Sequence, residues 1–264
     1  MEKRFLTPKE IANAMVNVGV GKANLKTSAM IYLGILAGMY IGFGGLANTI
    51  ISQTLGNIDP GLAKFAGAAV FPVGLILVVV AGAELFTGNN LMTLAVMNKK
   101  ITLSQMFRNW GVVWVANLVG SVFLALIVFY GGVLGGDAGI KAIAIAESKA
   151  SLDIMALIFR GIMCNILVVL AVWIAASAQD VISKLFACWF PIMLFVLCGF
   201  EHSVANMFFI PMGMLLGAKV TMAALIKNLV FVTIGTILGG AIIIPFLYQN
   251  SYLKEEKQVS KQQS

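Results

Sequence analysis

The chain has 264 residues, of which 60% are hydrophobic and only 11% charged, and its formal net charge is +7. Soluble domains carry roughly a quarter charged residues, so this composition excludes a soluble globular protein. The apolar residues fall in long unbroken runs, which predict membrane-spanning helices rather than a closed barrel.

The N-terminal segment, residues 1–27, is polar and helix-like, with no small-residue cleavage site, so we expect no signal peptide. The positive charges lie mainly at the ends of the apolar runs. They are expected to set topology and to meet membrane lipid, and they do not indicate nucleic acid. Cys164, Cys188 and Cys198 all lie in apolar runs, and we assign them no redox role.

Six apolar runs follow this segment in a single predicted membrane domain, residues 1–264. Four runs have roughly the 20 residues that cross a bilayer. The second and fifth runs would each be about 50 Å long as straight helices, so both are predicted to be broken. A polar cytoplasmic tail is predicted at 250–264. The runs cover residues 28–51, 61–97, 108–131, 154–177, 185–217 and 228–249.

The breaks are predicted at two polar islands inside the long runs. The first island reads AGAELFTGNN at 81–90, and the second reads CGFEHSVANM at 198–207. Irregular backbone at membrane depth survives only where protein covers it or where it lines a water-filled cavity. The islands are therefore the candidate positions for a solute pathway.

The lysines and arginines near the helix ends predict the orientation of the chain. Twelve lie on the side of both termini and six on the opposite side. By the positive-inside rule this predicts that both termini lie in the cytoplasm.

The two halves of the chain form an internal repeat. The third run matches the sixth at an offset of 119 residues, and the segment from Lys22 matches that from Lys149 at an offset of 127. Each half has three crossings, an odd number, so the second half is predicted to be inverted. The predicted fold is an all-α 3+3 inverted repeat, residues 28–131 and 154–249, with a midplane solute site. In the islands, Gly82, Glu84 and Asn89 recur as Gly199, Glu201 and Asn206.

His202 is the only histidine and is our first candidate functional residue. An ionisable side chain at membrane depth is costly and therefore indicates function. Burial favours the neutral imidazole, unless an anion is close. Thr87 and Ser203 lie where the second half-helices are predicted to begin, and either is a candidate N-cap. Such helix N-termini favour an anion at the midplane.

The other polar residues of the islands are assigned mainly structural roles. Glu84 and Glu201 are predicted to bind loop N–H groups or a neighbouring protomer, although an acid–base pair is the alternative. Asn89, Asn90 and Asn206 are expected to hold the broken backbone together. Asn206 lies one helical turn from His202 and is also expected to orient it.

Hydrophobic constrictions and charged mouths complete the predicted pathway. Phe71, Leu75 and Phe195 precede the islands and are candidates to strip water from an ion, although aromatic residues in apolar runs usually only pack. Leu85 is assigned to the same pore lining. Lys22 and Lys149 lie just before equivalent runs and are read either as topology determinants or as electrostatic funnels at the two mouths.

AGAELFTGNN and GFEHSVANMFFIPMG resemble the two signature stretches of the formate/nitrite transporter family, and the likeness extends from Pro8 to Tyr248. The resemblance implies an aquaporin-like fold and a homopentamer with one pore per protomer. It also implies a central pore plugged by lipid and a location in the bacterial cytoplasmic (inner) membrane.

For the site, the resemblance implies that Thr87 and His202 face each other at mid-pore, with Asn206 as the partner of the histidine. Phe71, Leu75 and Phe195 match the constriction positions of the family. Lys22 and Lys149 match its vestibule lysines.

The first island carries Glu84 and Gly88 where formate channels of enteric type have aspartate and serine. The chain looks most similar to the hydrosulfide-channel branch.

The expected function is a channel for small anions of weak acids such as hydrosulfide, formate or nitrite, with no cofactor and no bound metal. One alternative is a proton-coupled formate or nitrite symporter. A neutral-solute channel is disfavoured because paired Asn-Pro-Ala motifs are absent from the sequence. A membrane enzyme using Glu84, Glu201 and His202 is disfavoured because the sequence shows no nucleophile or metal set.

Overall fold

The structure is a computed structural model that describes residues 5–254, and its regular elements are helices joined by short connections. Residues 1–4 and most of the predicted cytoplasmic tail, 255–264, lie outside the described residues. The helices are α1 Pro8–Ala23, α2 Thr27–Ile51, α3 Pro60–Val70, α4 Val73–Ile76, α5 Phe86–Asn89, α6 Thr93–Met97, α7 Leu103–Tyr130, α8 Gly136–Ser151, α9 Ile154–Ser177, α10 Val181–Leu197, α11 Ser203–Leu215, α12 Met222–Ile237 and α13 Ile244–Tyr248.

Three π-helical segments extend these helices into longer rods. Leu77–Gly82 continues α4, while Leu238–Ile243 joins α12 to α13 and Gln249–Leu253 follows α13. The last rod therefore runs through the predicted start of the tail at residue 250. Short 3-10 turns lie at Leu55–Asn57 and Asn90–Met92.

Five continuous helical stretches in residues 5–254 are long and apolar enough to cross a membrane, and they include Pro60–Gly82 and Met222–Leu253. The apolar helix Val181–Leu197 has 17 residues, slightly fewer than the roughly 20 of a full span. The second and fifth predicted runs are both interrupted at the predicted islands.

The connection between the third and fourth runs contains a helix that the hydropathy pattern did not predict. α8 has 16 residues, as does α1. Its apolar positions are mostly alanines, so it lacks the long run of large side chains that indicates a span. α1 and α8 end close to Lys22 and Lys149, the two residues matched by the repeat.

Both breaks are closed in the same way, by a glycine in the left-handed region. Gly82 has φ +91° and Gly199 has φ +71°, values that glycine adopts without strain. The following N–H groups donate to carbonyls five residues earlier, at 3.0 Å from Ala83 to Val78 and 3.0 Å from Phe200 to Phe195. This is the hydrogen bond of a Schellman helix end.

The backbone after each break is bound by a neighbouring long helix. The Glu84 N–H donates to the Leu33 carbonyl on α2 at 3.1 Å, and the Glu201 N–H donates to the Arg160 carbonyl on α9 at 3.4 Å. Backbone groups freed by a break in a bilayer find no water in the hydrocarbon, so these bonds offset the cost of the interruption.

Glycines let the helices that flank the breaks approach closely. A Cβ built at Gly120 on α7 would overlap the Ile35 carbonyl on α2, and one at Gly161 on α9 would lie 2.8 Å from the Val232 carbonyl on α12. Small residues at such crossings allow backbone-to-backbone packing in membranes. The α2–α7 and α9–α12 pairs therefore form a rigid frame around the breaks.

Gly120→Ala is expected to lower the free energy of unfolding by about 1–3 kcal/mol, because the added methyl group overlaps backbone that cannot move aside. Gly111→Ala on the same helix is the matched control, since its Cβ would meet no atom within 4 Å. Thermal unfolding of the purified variants in detergent measures both changes. Equal midpoints for the two variants would contradict the close approach.

Candidate functional site

The first break carries a closed circuit of one lysine, one glutamate and two asparagines. The Lys22 Nζ donates to Glu84 Oε1 at 2.6 Å, and Asn89 Nδ2 donates to Glu84 Oε2 at 2.7 Å. Asn89 Nδ2 also donates to Asn109 Oδ1 at 2.8 Å, and Asn109 Nδ2 donates to the Lys22 carbonyl at 3.3 Å. The circuit joins the end of α1 to α5 and α7.

The second break carries the same circuit. Lys149 Nζ donates to Glu201 Oε1 at 2.9 Å, and Asn206 Nδ2 donates to Glu201 Oε2 at 2.6 Å. Asn206 Nδ2 also donates to Asn228 Oδ1 at 2.7 Å, and Asn228 Nδ2 donates to the Lys149 carbonyl at 2.9 Å. The circuit joins α8, α11 and α12.

These contacts differ from the partners expected from the sequence. Glu84 and Glu201 were expected to bind loop N–H groups or a neighbouring protomer. Within the chain their carboxylates bind lysines and asparagine amides and not loop N–H groups. Their side chains are only 8% and 5% exposed, so each carboxylate is buried together with a compensating charge. Because each vestibule lysine is paired, it is not a free charge at the mouth.

Asn109 and Asn228 are site residues that the sequence reasoning did not select. A signal existed, because the two residues match each other at the offset of 119.

His202 and Thr87 meet at the centre of the protein. The Thr87 Oγ1 and His202 Nε2 atoms are 3.1 Å apart, and the residues are 0% and 3% exposed. Thr87 belongs to α5, and His202 precedes α11. The structure thus brings together the two residues that the resemblance placed at mid-pore.

His202 is itself the N-cap of α11, which corrects the expectation that Ser203 caps this helix. The Ala205 N–H donates to His202 Nδ1 at 3.0 Å, and Ser203 is the first helical residue. The N-cap of α5 is Leu85, and Thr87 lies within the first turn. The Ser203 hydroxyl is buried without a hydrogen-bond partner among residues 5–254.

The cap assigns the proton on the imidazole ring. Because Nδ1 accepts the Ala205 N–H, the neutral ring carries its hydrogen on Nε2 and donates it towards Thr87 Oγ1. An imidazolium would place an N–H at Nδ1 and break the cap. Asn206, which was expected to orient the ring, binds Glu201 and Asn228 instead.

Aromatic side chains cover the histidine on one side. The Phe195 ring stacks on the His202 ring with a centroid distance of 5.7 Å and an interplanar angle of 17°. Phe71 meets Phe195 edge to face, also at 5.7 Å. Phe71, Leu75, Leu85 and Phe195 are each at most 3% exposed. The predicted constriction residues therefore lie in the buried region around the His202–Thr87 contact.

Two cavities flank this buried region. The first, of about 340 Å³, is lined by Lys22, Glu84, Leu75 and Leu85. The second, of about 360 Å³, is lined by Lys149, Glu201, His202, Phe71, Phe195 and other residues. Leu75 and Phe71 are one helical turn apart, so the cavities approach each other where buried side chains separate them.

Two further asparagines hold the short helix α5 in place, and sequence reasoning missed both. Asn117 Oδ1 accepts the Phe86 N–H at 3.0 Å, and Asn117 Nδ2 donates to the Glu84 carbonyl at 2.9 Å. Asn165 Nδ2 donates to Asn90 Oδ1 at 2.8 Å. Both sit alone in apolar runs, and a lone polar residue at membrane depth was the available signal.

Apolar helices, two matched helix breaks and a polar contact between two cavities define a membrane transport protein. The sequence model of the formate/nitrite transporter family matches residues 9–249. The chain belongs to this family. Membership identifies it as a membrane transporter and not as an enzyme.

A relative named as a probable formate transporter, from Methanothermobacter thermautotrophicus, is 41% identical over 97% of this chain and 100% of its own length. Among solved structures, an "FNT family ion channel" superposes with a TM-score of 0.86, at 32% identity over 92% of this chain and 98% of the other. A "Pentameric formate channel with formate bound" superposes with a TM-score of 0.77, at 33% identity over 86% and 98%.

Lys22→Met is expected to destabilise the protein by about 2–3 kcal/mol, because it leaves the buried Glu84 carboxylate without its counter-charge. The lysine side chain is 23% exposed, so the loss stays below that of a fully buried pair. The double variant Lys22→Met/Glu84→Gln is expected to recover most of this stability. Thermal unfolding in detergent measures the series.

Lys26→Met provides the matched control, since Lys26 lies at the exposed start of α2. If the double variant lost as much stability as the two single variants added together, Lys22 and Glu84 would not be energetically coupled.

Proposed function

We propose that this chain is a channel for small monovalent anions of weak acids, with one pore in each protomer. The observation that carries the proposal is the His202–Thr87 contact, which places hydrogen-bond donors between two cavities in an apolar surround. A monovalent anion of a few atoms accepts such hydrogen bonds and is small enough to enter either cavity.

The proposed architecture is a six-span inverted repeat with broken second and fifth spans. Two observations support it: the equivalent circuits at Glu84 and Glu201, and the equivalent Schellman ends at Gly82 and Gly199. Both termini would then lie in the cytoplasm, and α8 would be the counterpart of α1. The likeness to a pentameric channel supports a homopentamer whose outer apolar faces meet lipid and neighbouring protomers.

The proposed conduction path uses each predicted site residue in a defined place. Phe71, Phe195, Leu75 and Leu85 remove water from the anion, because their buried side chains offer it no hydrogen bond. The His202 Nε2–H and the Thr87 hydroxyl then replace part of the lost hydration.

The Lys–Glu–Asn circuits are assigned a structural role at the breaks. Because each lysine is neutralised by a buried carboxylate, the pair cannot act as a strong local trap for the anion. The circuits instead keep α5 and α11 aligned towards the central contact.

His202 is proposed as a hydrogen-bond donor and not as the source of a transferred proton. Complete transfer from the neutral ring would leave an imidazolate, and a doubly protonated ring would break the cap on Ala205. Any proton that accompanies the anion would therefore come from water in the cavities.

His202→Asn is expected to retain conduction, because an amide N–H replaces the Nε2–H, whereas His202→Leu is expected to reduce it about 10–100-fold through loss of one hydrogen bond to a charged group. Flux of a weak-acid anion into liposomes holding each purified variant measures the effect. Loss of conduction in both variants alike would favour an obligatory proton transfer by the imidazole.

Formate is the favoured substrate. A relative that is 41% identical over 97% of this chain is named a probable formate transporter, and a solved structure that is 33% identical over 86% of the chain is a formate channel with formate bound. Hydrosulfide, expected from the general resemblance to the hydrosulfide-channel branch, is the second candidate. Flux of formate, hydrosulfide, nitrite and chloride into the same liposomes at two pH values is expected to be fastest for formate and slowest for chloride. Faster hydrosulfide than formate would assign the chain to the sulfide branch.

A proton-coupled symporter is the alternative mechanism for the same site. It predicts that a pH gradient drives formate accumulation beyond the level reached by leak of neutral formic acid. A channel predicts that formate only equilibrates with its electrochemical gradient.

A further inference from the structure

The two cavities differ in charge, although the circuits that border them are equivalent. Lys22 and Glu84 are the charged residues that line the first cavity, and they neutralise each other. The second cavity is lined by Lys64, Lys141 and Lys149 together with Glu201. This cavity therefore has two more positive than negative charges.

Lys64 and Lys141 are the two lysines that remain uncompensated. Lys149 is paired with Glu201 and also lies 5.4 Å from the centre of the Phe209 ring. Lys64 and Lys141 form no ion pair within residues 5–254. The Asp59 carboxylate, which precedes Lys64 in the chain, accepts the Leu62 N–H as the cap of α3.

The placement of these lysines converges on one space. Lys64 lies on α3 and Lys141 on α8, and both line the same cavity. Lys141 and Lys149 are eight residues apart, about two helical turns, and therefore share a face of α8. Like charges on a concave surface focus a field that attracts anions.

The cavity is large enough for a polyatomic ion with water around it. Its volume is about 360 Å³, compared with about 30 Å³ for one water molecule in the liquid. Its inner end is closed by Phe71, Phe195 and His202, which offer few polar groups. A doubly charged ion loses far more hydration energy there than a monovalent ion, because Born solvation grows with the square of the charge.

We propose that the cavity lined by Lys64, Lys141 and Lys149 binds a small divalent oxyanion, with sulfate as the probe, and that the bound ion blocks the conduction path. The block rests on the proposed anion channel, whereas the binding does not. The first cavity has no such site because its single lysine is neutralised by Glu84.

The test compares formate flux into liposomes in sulfate and in gluconate of equal ionic strength. Wild-type flux is expected to fall in sulfate alone. In Lys64→Gln/Lys141→Gln, the sulfate concentration for half-inhibition is expected to rise at least about tenfold, the effect of removing attraction by two charges in a water-like dielectric. Lys219→Gln, a change outside the cavity on the same proposed side of the membrane, is expected to leave inhibition unchanged.

Isothermal titration of sulfate into the purified protein at low ionic strength tests binding without any flux. Heat of binding in the wild type that is lost in the double variant supports the site, even if formate does not permeate. Equal inhibition or equal binding in wild type and double variant overturns the proposal, as does sulfate inhibition no greater than that in gluconate. If wild-type protein gives no formate flux, the proposed channel function is overturned. The titration alone then shows whether the cavity binds sulfate.

Discussion

A helix that stops and restarts inside a membrane leaves backbone N–H and C=O groups that need hydrogen-bond partners and that no water can reach. This protein supplies such partners at two helix breaks. Gly82 and Gly199 turn the chain, neighbouring helices accept the N–H groups of Glu84 and Glu201, and the two circuits bind the carboxylates. A buried charge pair of this kind is weak evidence for net stability, because desolvation offsets the attraction. Its effect here is geometric: it fixes where the restarted helix points.

The equivalent circuits do not make the two halves identical at the centre. In the first half, the polar side chain at the contact is Thr87, which lies within α5. Asn117 binds the backbone of Glu84 and Phe86 at the break. In the second half, His202 caps its own helix. This difference places the Thr87 hydroxyl opposite the His202 imidazole. Two strictly symmetric halves would instead place two identical side chains opposite each other.

The same asymmetry extends to the cavities. The first cavity is lined by a neutral pair, and the second has two lysines beyond its pair. The circuits therefore serve the fold, while Lys64 and Lys141, which are not part of a circuit, make the second cavity positive. The charged groups of both circuits are neutralised in ion pairs, so the His202–Thr87 contact offers hydrogen-bonding groups and no unpaired circuit charge.

The membrane class, the long apolar runs and the positions of the breaks could be predicted from the amino-acid sequence alone. Hydropathy and chain length are local properties, and the islands around Glu84 and Glu201 stand out within apolar runs. Residue matches at fixed offsets indicated the repeat, and the two signature stretches indicated the family and the pair Thr87 and His202.

The ion-pair and hydrogen-bond partners of the polar side chains became clear only from the packing of the helices. Lys22 and Glu84 are 62 residues apart, and their ion pair depends on how α1 lies against the break. The cap formed by His202, the roles of Asn109 and Asn228, and the unequal charge of the cavities likewise depend on helix packing. Hydropathy describes the polarity of one chain segment. Hydrogen-bond partners depend on which side chains face each other when helices distant in sequence pack together.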